Sequence, residues 1–392
     1  MKRGLAPVRH VPAPVGALTN LFDRLHAQQI RYCHWKSTEH LRASLDAALD
    51  LDVLVHRADA RRLTRLLTDV DFKRFGDGGH GYPGVEDYLG FDPDTGRLSH
   101  LHLHYQLTLG EKFLKGYRLP WEDLVLDTRT MDAEHGVYVI DPNLEALLLV
   151  TRAALKLRAR DYLLAAAGYR YIRGGALREL RWLARRVNRD RLAALARPLV
   201  GDEAAALLSE IVADVAPSIR QLRAFRRIVR PSLGGYRMYG AIAARRRRWA
   251  RELGWVWVAV RNRLRGMSKR STRTAPQGGV AVTVTGPQVR ATAVAQELIA
   301  WLSPELAVVP NLGPRRSEEA RRARARGWIV VADRLHAGPV GDRPDLIIHL
   351  GQPSNGGGRV ERPGETPTVG LDVRAAPAIL FLQAKQALWE CL

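Results

Sequence analysis

Residues 35–55 read WKSTEHLRASLDAALDLDVLV, and the order of residue types in this stretch decides how the first part of the chain folds. Leu51 to Val55 is apolar and β-branched, which predicts a buried strand. Asp50 and Asp52 stand at i and i+2 on it, so their carboxylates point to one side, about 7 Å apart along the chain. Twelve residues separate Ser37 from Asp50, and Thr38 to Leu49 has a helical pattern. A short strand, Ile30 to His34, leads into Trp35-Lys36-Ser37. Paired carboxylates beside such a turn suit one or two Mg²⁺ ions, which neutralise a triphosphate and align its leaving pyrophosphate.

Outward from this stretch, strands and helices alternate. Leu18, Leu21, Phe22 and Leu25 recur at helical spacing over Leu18 to Gln29, and Ala60, Leu63, Leu66 and Leu67 do so over Asp59 to Thr68. Gly76 to Gly84 (GDGGHGYPG) is turn chemistry. Leu98 to Leu107 alternates strictly, with Leu101, Leu103 and Tyr105 on one face and His100, His102 and His104 on the other. His102 and His104 are therefore candidates for a base or a metal ligand, since imidazole titrates near neutral pH and binds divalent ions. The histidine row also admits a metallohydrolase. Asp92 and Asp94 are further carboxylates, in a turn. Val137 to Ile140 predicts another strand, and Asp141-Pro142-Asn143 opens a helix with capping chemistry.

Trp35, Lys36, Ser37 and Asp50-Leu51-Asp52-Val53 together resemble the nucleotidyltransferase superfamily: a hydrophobic residue, Gly, Gly/Ser, a helix, then Asp-hydrophobic-Asp-hydrophobic on the next strand. The resemblance implies that Ser37, Lys36 and nearby backbone N–H groups hold a nucleoside triphosphate, while Asp50 and Asp52 bind Mg²⁺ and act in catalysis. Lys36 departs from the usual glycine and offers a cation to phosphate instead. The superfamily's third carboxylate, on a neighbouring strand, is replaced here by histidines on LSHLHLHYQL.

Residues 143–265 contain only helical patterns, broken at Pro198, Pro217, Pro231 and Gly234-Gly235. A small, polar and basic stretch, Gly266 to Gly279, reads as a linker. Beyond it the strands Val280 to Thr285, Trp328 to Ala332 and Leu346 to Leu350 alternate with the helices Ala291 to Leu302 and Ala375 to Leu388, which implies a parallel sheet covered on both faces. Gly286 stands where a phosphate loop begins. The residues after it, Pro287-Gln288-Val289-Arg290-Ala291-Thr292, are about two too few for GxxxxGK[ST] and lack its second glycine and lysine.

With Asp333-Arg334 and Pro344-Asp345-Leu346, this lobe is similar to the thymidylate kinase family of P-loop kinases. The resemblance puts Gly286, Arg290 and Thr292 at a nucleotide-binding position but predicts no kinase activity, because Arg290 cannot replace a loop too short to wrap the β-phosphate. The order of modules, with His102-Leu103-His104-Tyr105, Gly110-Glu111-Lys112 and Leu119-Pro120, resembles bacterial thymidylate-kinase-like and nucleotidyltransferase-like proteins, several near polysaccharide biosynthesis functions.

The expected architecture is thus α/β: an arm at 1–17, a nucleotidyltransferase-like domain of mixed sheet and helices at 18–142, an all-helical domain at 143–265, a linker at 266–279 and a degenerate P-loop lobe at 280–392. The formal charge of +21 sits almost wholly in residues 141–277, where 30 Lys and Arg face 10 Asp and Glu. Arg245 to Arg265, with Trp249, Trp255 and Trp257 among arginines, reads first as a solvated helix face and next as a fit to an anionic membrane surface; nucleic acid is a weaker fit. Cys33 and Cys391 form no CxxC pair, which argues against a disulfide framework or a thiolate zinc site. The apolar run Leu253 to Val260 is far short of the roughly 20 residues a spanning helix needs. A cytoplasmic protein, peripheral to a membrane at most, is the expectation. The competing readings are a non-catalytic nucleotide- or polyanion-binding regulator and a residual nucleoside monophosphate kinase.

Overall fold

The computed structural model describes residues 14–76, 81–110, 114–157, 161, 175–214, 217–264, 273–274, 278–310, 317–333, 344–351, 359–360 and 366–392. The first part of the chain runs α1 (Gly16–Ala27), β1 (Tyr32–His34), α2 (Leu41–Leu45), β2 (Leu51–Val55), α3 (Ala60–Asp69), β3 (Phe72–Phe75), β4 (Val85–Asp92), β5 (Arg97–His104), β6 (Leu107–Leu109), β7 (Tyr117–Leu119), α4 (Glu122–Asp127), β8 (Thr130–Asp132) and β9 (Val137–Val139). Seven of these strands form one mixed sheet in the order β3-β4-β5-β2-β1-β9-β8, and β6 and β7 make a separate hairpin. Alternation gives the sheet two different faces. Leu51, Val53, Val55, Leu101, Leu103 and Tyr88 turn to one side and pack under α1 and α3 with Leu18, Leu21, Leu63 and Leu66. The opposite side carries the aspartates and histidines.

The middle is helical: α5 (Pro142–Leu155), α6 (Gly175–Ala184), α7 (Arg189–Val200), α8 (Asp202–Asp214), α9 (Ile219–Ser232) and α10 (Ala241–Leu264). The Asp141 side chain caps α5 by accepting from the Asn143 N–H at 2.8 Å. This bundle shares one core with Cys33, Trp35, Leu54 and the β6–β7 hairpin, so helices press against the polar side of the first sheet.

The last part runs β10 (Ala281–Thr285), α11 (Gln288–Leu302), β11 (Val308–Pro310), α12 (Ser317–Ala325), β12 (Ile329–Ala332), β13 (Leu346–Gly351), β14 (Arg359–Val360), β15 (Thr368–Asp372) and α13 (Pro377–Cys391). Its sheet has the order β11-β12-β10-β13-β15-β14, parallel except for β14. The α/β class and the parallel second sheet therefore stand as expected.

Three local expectations need correction. The helix between Ser37 and Asp50 is only one 3₁₀ turn, Thr38–His40, and α2. The chain then turns at Ala47 (φ 54°), and the Ser44 hydroxyl donates to the Asp50 carbonyl at 2.9 Å, tying the helix end to the next strand. Several strands escaped the periodicity reading, among them β3, β4, β7, β8, β11, β14 and β15. Leu89 and Phe91 of β4 pack into the second lobe while Tyr88 packs under the helices, so β4 is apolar on both faces and shows no alternation. The linker is not loose where it is described: Thr274 exchanges backbone hydrogen bonds with Gly76 at the end of β3. Residues 265–272 and 275–277, Arg334, Glu111 and Lys112 lie outside the described residues, as does most of the 1–17 arm.

Candidate metal centre

Register builds the site. β2 and β5 run parallel with Asp52 beside His102, and β4 and β5 run antiparallel with Asp87 beside the same histidine. Three adjacent strands thus carry Asp52, His102 and Asp87 in a row on one face. His102 Nδ1 lies 3.2 Å from Asp52 Oδ1 and its Nε2 lies 3.0 Å from Asp87 Oδ1. Asp50, one residue before β2, comes level with His100: Oδ1 is 2.7 Å from His100 Nδ1, and Oδ2 is 3.8 Å from His102 Nδ1. His100 Nε2 is 3.1 Å from Asp87. Asp50, His100 and His102 each offer one ligand atom, all within 4.8 Å of one another.

The second lobe closes this cluster. Glu305, just past α11, brings Oε2 to 3.4 Å from His100 Nδ1, and Arg273 from the linker holds that oxygen at 2.9 Å. The Arg273 guanidinium also lies 3.5 Å from His102 Nε2 and 3.8 Å from Asp87.

Charge follows from these contacts. Burial raises the Asp52 pKa, but Lys36 Nζ at 2.7 Å and the rings of His102 and His104 outweigh it and hold the carboxyl well below its usual range. Burial likewise opposes and imidazole hydrogen bonds decide the downward direction at Asp50 and Asp87. Burial pushes His102 down, and its bonds to Asp52 and Asp87 overcome this and lift it to about 9. His104, buried against Trp35 with ring centroids 5.1 Å apart, is pushed down to about 4 despite its contact with Asp52.

The expected site residues therefore separate. Asp50 and His102 meet in the cluster, joined by His100 and Asp87, which sequence reasoning did not single out. The signal for His100 was its place in the alternating row; Asp87 carried none, because it lies on the strand that shows no alternation. Asp52 is turned to Lys36, His102 and His104 rather than shared with Asp50 across an open gap, and His104 is enclosed. Ser37 adopts a left-handed conformation (φ 57°), as a phosphate turn would. Its N–H, however, donates to Glu179 Oε1 at 3.2 Å, and the Thr38 N–H donates to Glu145 Oε1 at 2.9 Å. The expected triphosphate donors are already bound to carboxylates of the chain itself. Asp92 is structural, accepting from the Ala17 and Thr95 N–H groups.

In the second lobe, Gly286 (φ 126°) is required by close approach: a Cβ there would stand 2.4 Å from the Leu350 carbonyl oxygen. The Arg290 guanidinium donates to the carbonyls of Val373 and Ala375, and the Thr292 hydroxyl donates to Asp333 at 2.8 Å. These three residues sit at the expected loop, but the side chains of Arg290 and Thr292 are spent on the lobe itself. No family model, curated protein or solved structure matches this chain.

The donor set bears on the ion. Mg²⁺ prefers octahedral oxygen ligation, whereas two imidazoles and a carboxylate suit Zn²⁺, Mn²⁺, Fe²⁺ and similar borderline ions. Asp50, His100 and His102 fit an ion of that second class better than Mg²⁺.

Proposed function

We propose that the first lobe is a divalent-metal-dependent phosphoryl-transfer module of nucleotidyltransferase type, with Asp50, His100 and His102 as the metal ligands. The observation that carries the reading is the convergence of their three ligand atoms beside the Lys36–Asp52 pair. A bound ion would supply Lewis-acid polarisation of a phosphoryl oxygen. The chain's own groups supply the rest: Asp87 orients both imidazoles, and Lys36 keeps Asp52 ionised while presenting a cation to the same cleft. The second lobe, its phosphate loop spent on internal bonds, contributes Glu305 and leaves the chemistry to the first.

The test is release of pyrophosphate from a panel of nucleoside triphosphates with Mn²⁺, Zn²⁺ or Mg²⁺. Turnover that falls about 100-fold or more in Asp50→Asn and His100→Asn supports the reading. A wild-type chain that turns over no nucleotide with any of the three ions sinks it and favours a binding role.

A second reading concerns where the protein works. Ile242, Trp249, Leu253, Val256, Trp257 and Val260 on α10 are 45–79% exposed, and at 3.6 residues per turn they fall on one stripe about 100° wide. Arg245 to Arg248 lie on the same helix. Exposed tryptophans and leucine beside arginines fit the interface of an anionic bilayer, with α10 lying in its plane. Among the described residues no helix is long and apolar enough to cross a membrane.

A further inference from the structure

Lys36 also lines a cavity of about 150 Å³ whose walls include neither the metal ligands nor Ser37. Three elements wall it. The end of β1 brings Trp35 and Lys36, the β6–β7 hairpin brings Thr108 and Lys115, and the last turns of α5 bring Arg152 and Lys156. Arg152 and Lys156 share the side of α5 that carries Glu145, because 145, 152 and 156 repeat at helical spacing. Gly110 (φ 128°), at the end of β6, is required by close approach: a Cβ there would meet the Gly116 nitrogen at 2.8 Å. Four basic side chains thus line one small space. Among the described residues no carboxylate is part of its walls; Lys36 pairs with Asp52 and Arg152 with Glu179, both outside the lining.

Two of the lining residues are 3% exposed or less and leave a polar atom without a hydrogen-bond partner among the described residues: Trp35 Nε1 and Thr108 Oγ1. Buried polar atoms are rarely left so, and each unmade bond costs about 1–3 kcal/mol. Lys115 points the same way. Burial and then repulsion from Lys36 push its pKa down to about 8, a cost that an anion between the cations would relieve.

We propose that this cavity is an anion subsite for a phosphoryl group, with Lys36, Lys115, Arg152 and Lys156 supplying charge and Trp35 and Thr108 supplying neutral donors. Its size sets the ligand class. A volume of about 150 Å³ is below the roughly 300–1,000 Å³ of sites that enclose a whole small molecule, so it takes a phosphate or pyrophosphate moiety while any nucleoside or acceptor stays outside. The proposal deepens the phosphoryl-transfer reading and rests on it for its purpose, since Lys36 joins the subsite to Asp52. Its existence is testable without turnover.

The experiment is calorimetric titration of the full chain, in EDTA, with inorganic phosphate, pyrophosphate, glycerol phosphate and a nucleoside triphosphate, with sulfate as competitor. Wild-type binding that weakens about tenfold or more in both Thr108→Val and Lys115→Gln, at unchanged thermal midpoints, supports the subsite. Binding retained in Asp50→Asn supports it further, and binding lost there assigns the anion to the metal cluster and overturns it. Equal affinity in the two cavity variants, loss in Arg290→Gln instead, or no binding by the wild type also overturns it. Phosphate binding without any pyrophosphate release leaves the subsite standing and sinks the enzymatic reading; the reverse result does the opposite.

Discussion

Glu145 is the residue whose protonation most directly reports on the turn beside the site. It is buried on α5, close to Glu179, and accepts the Thr38 N–H. Burial, with Glu179 repulsion added, lifts its pKa from 4.5 to about 7. A folded-state acid pKa above the unfolded one means that the folded protein binds the proton more tightly between the two values. Stability is therefore fully present below about pH 4.5 and falls as pH rises through about 7. Thermal unfolding followed from pH 5 to pH 8 should show this decline in the wild type and a flatter profile in Glu145→Gln, which keeps the oxygen that Thr38 needs. Parallel profiles would show that Glu145 is not the titrating group. The same residue explains why the Ser37 turn misleads: a left-handed turn with two free N–H groups binds any anion, and here the chain supplies carboxylates from α5 and α6.

At the scale of the element, α10 carries the clearest prediction. The helix is tethered at Arg251, which donates to the Gly81 carbonyl at 2.8 Å and stacks on Tyr82, while its apolar stripe meets solvent. Co-sedimentation should show the protein on vesicles containing phosphatidylglycerol and not on phosphatidylcholine alone, with release by salt. Trp249→Glu with Trp257→Glu should abolish binding without changing the far-ultraviolet circular dichroism. Equal binding by wild type and variant, or a concentration-dependent dimer by light scattering that the variant dissolves, would assign the stripe elsewhere. The helix and its mixture of tryptophan and arginine were legible from the sequence. That the apolar residues are uncovered was not, because the same stripe at helical spacing would serve equally well inside a bundle. The strand β4 shows the converse. Both of its faces are covered, one by helices and one by the second lobe, so no period-2 pattern marked it and Asp87 went unnoticed.

Over the whole molecule, the two sheets are held together around Trp389. Its indole nitrogen donates to Asp71 at 2.6 Å, Lys73 lies over its ring, and Phe75 and Phe91 of the first lobe pack against it. Trp389→Ala should cost about 3–5 kcal/mol in denaturant unfolding. It should also weaken metal binding at Asp50, His100 and His102, since Glu305 reaches that cluster only while the lobes are docked. Unaltered metal affinity in a folded Trp389→Ala chain would show that the second lobe plays no part in the centre.

The sequence by itself determined what short-range pattern can determine: the buried strand with one aspartate on it and one just before it, the one-sided row of histidines, the capped start of α5, the helical middle and the broken phosphate loop. Each of these depends on periodicity or on turn and capping chemistry, which act within a few residues along the chain. Only the tertiary structure decided which groups meet. Strand order set Asp87 beside His102, helix docking gave the Ser37 and Thr38 N–H groups to Glu179 and Glu145, and lobe docking brought Glu305 and Arg273 to His100 and His102. Those pairings join residues far apart in the chain, and their energy comes from burial and charge that exist only once the sheets and helices have packed.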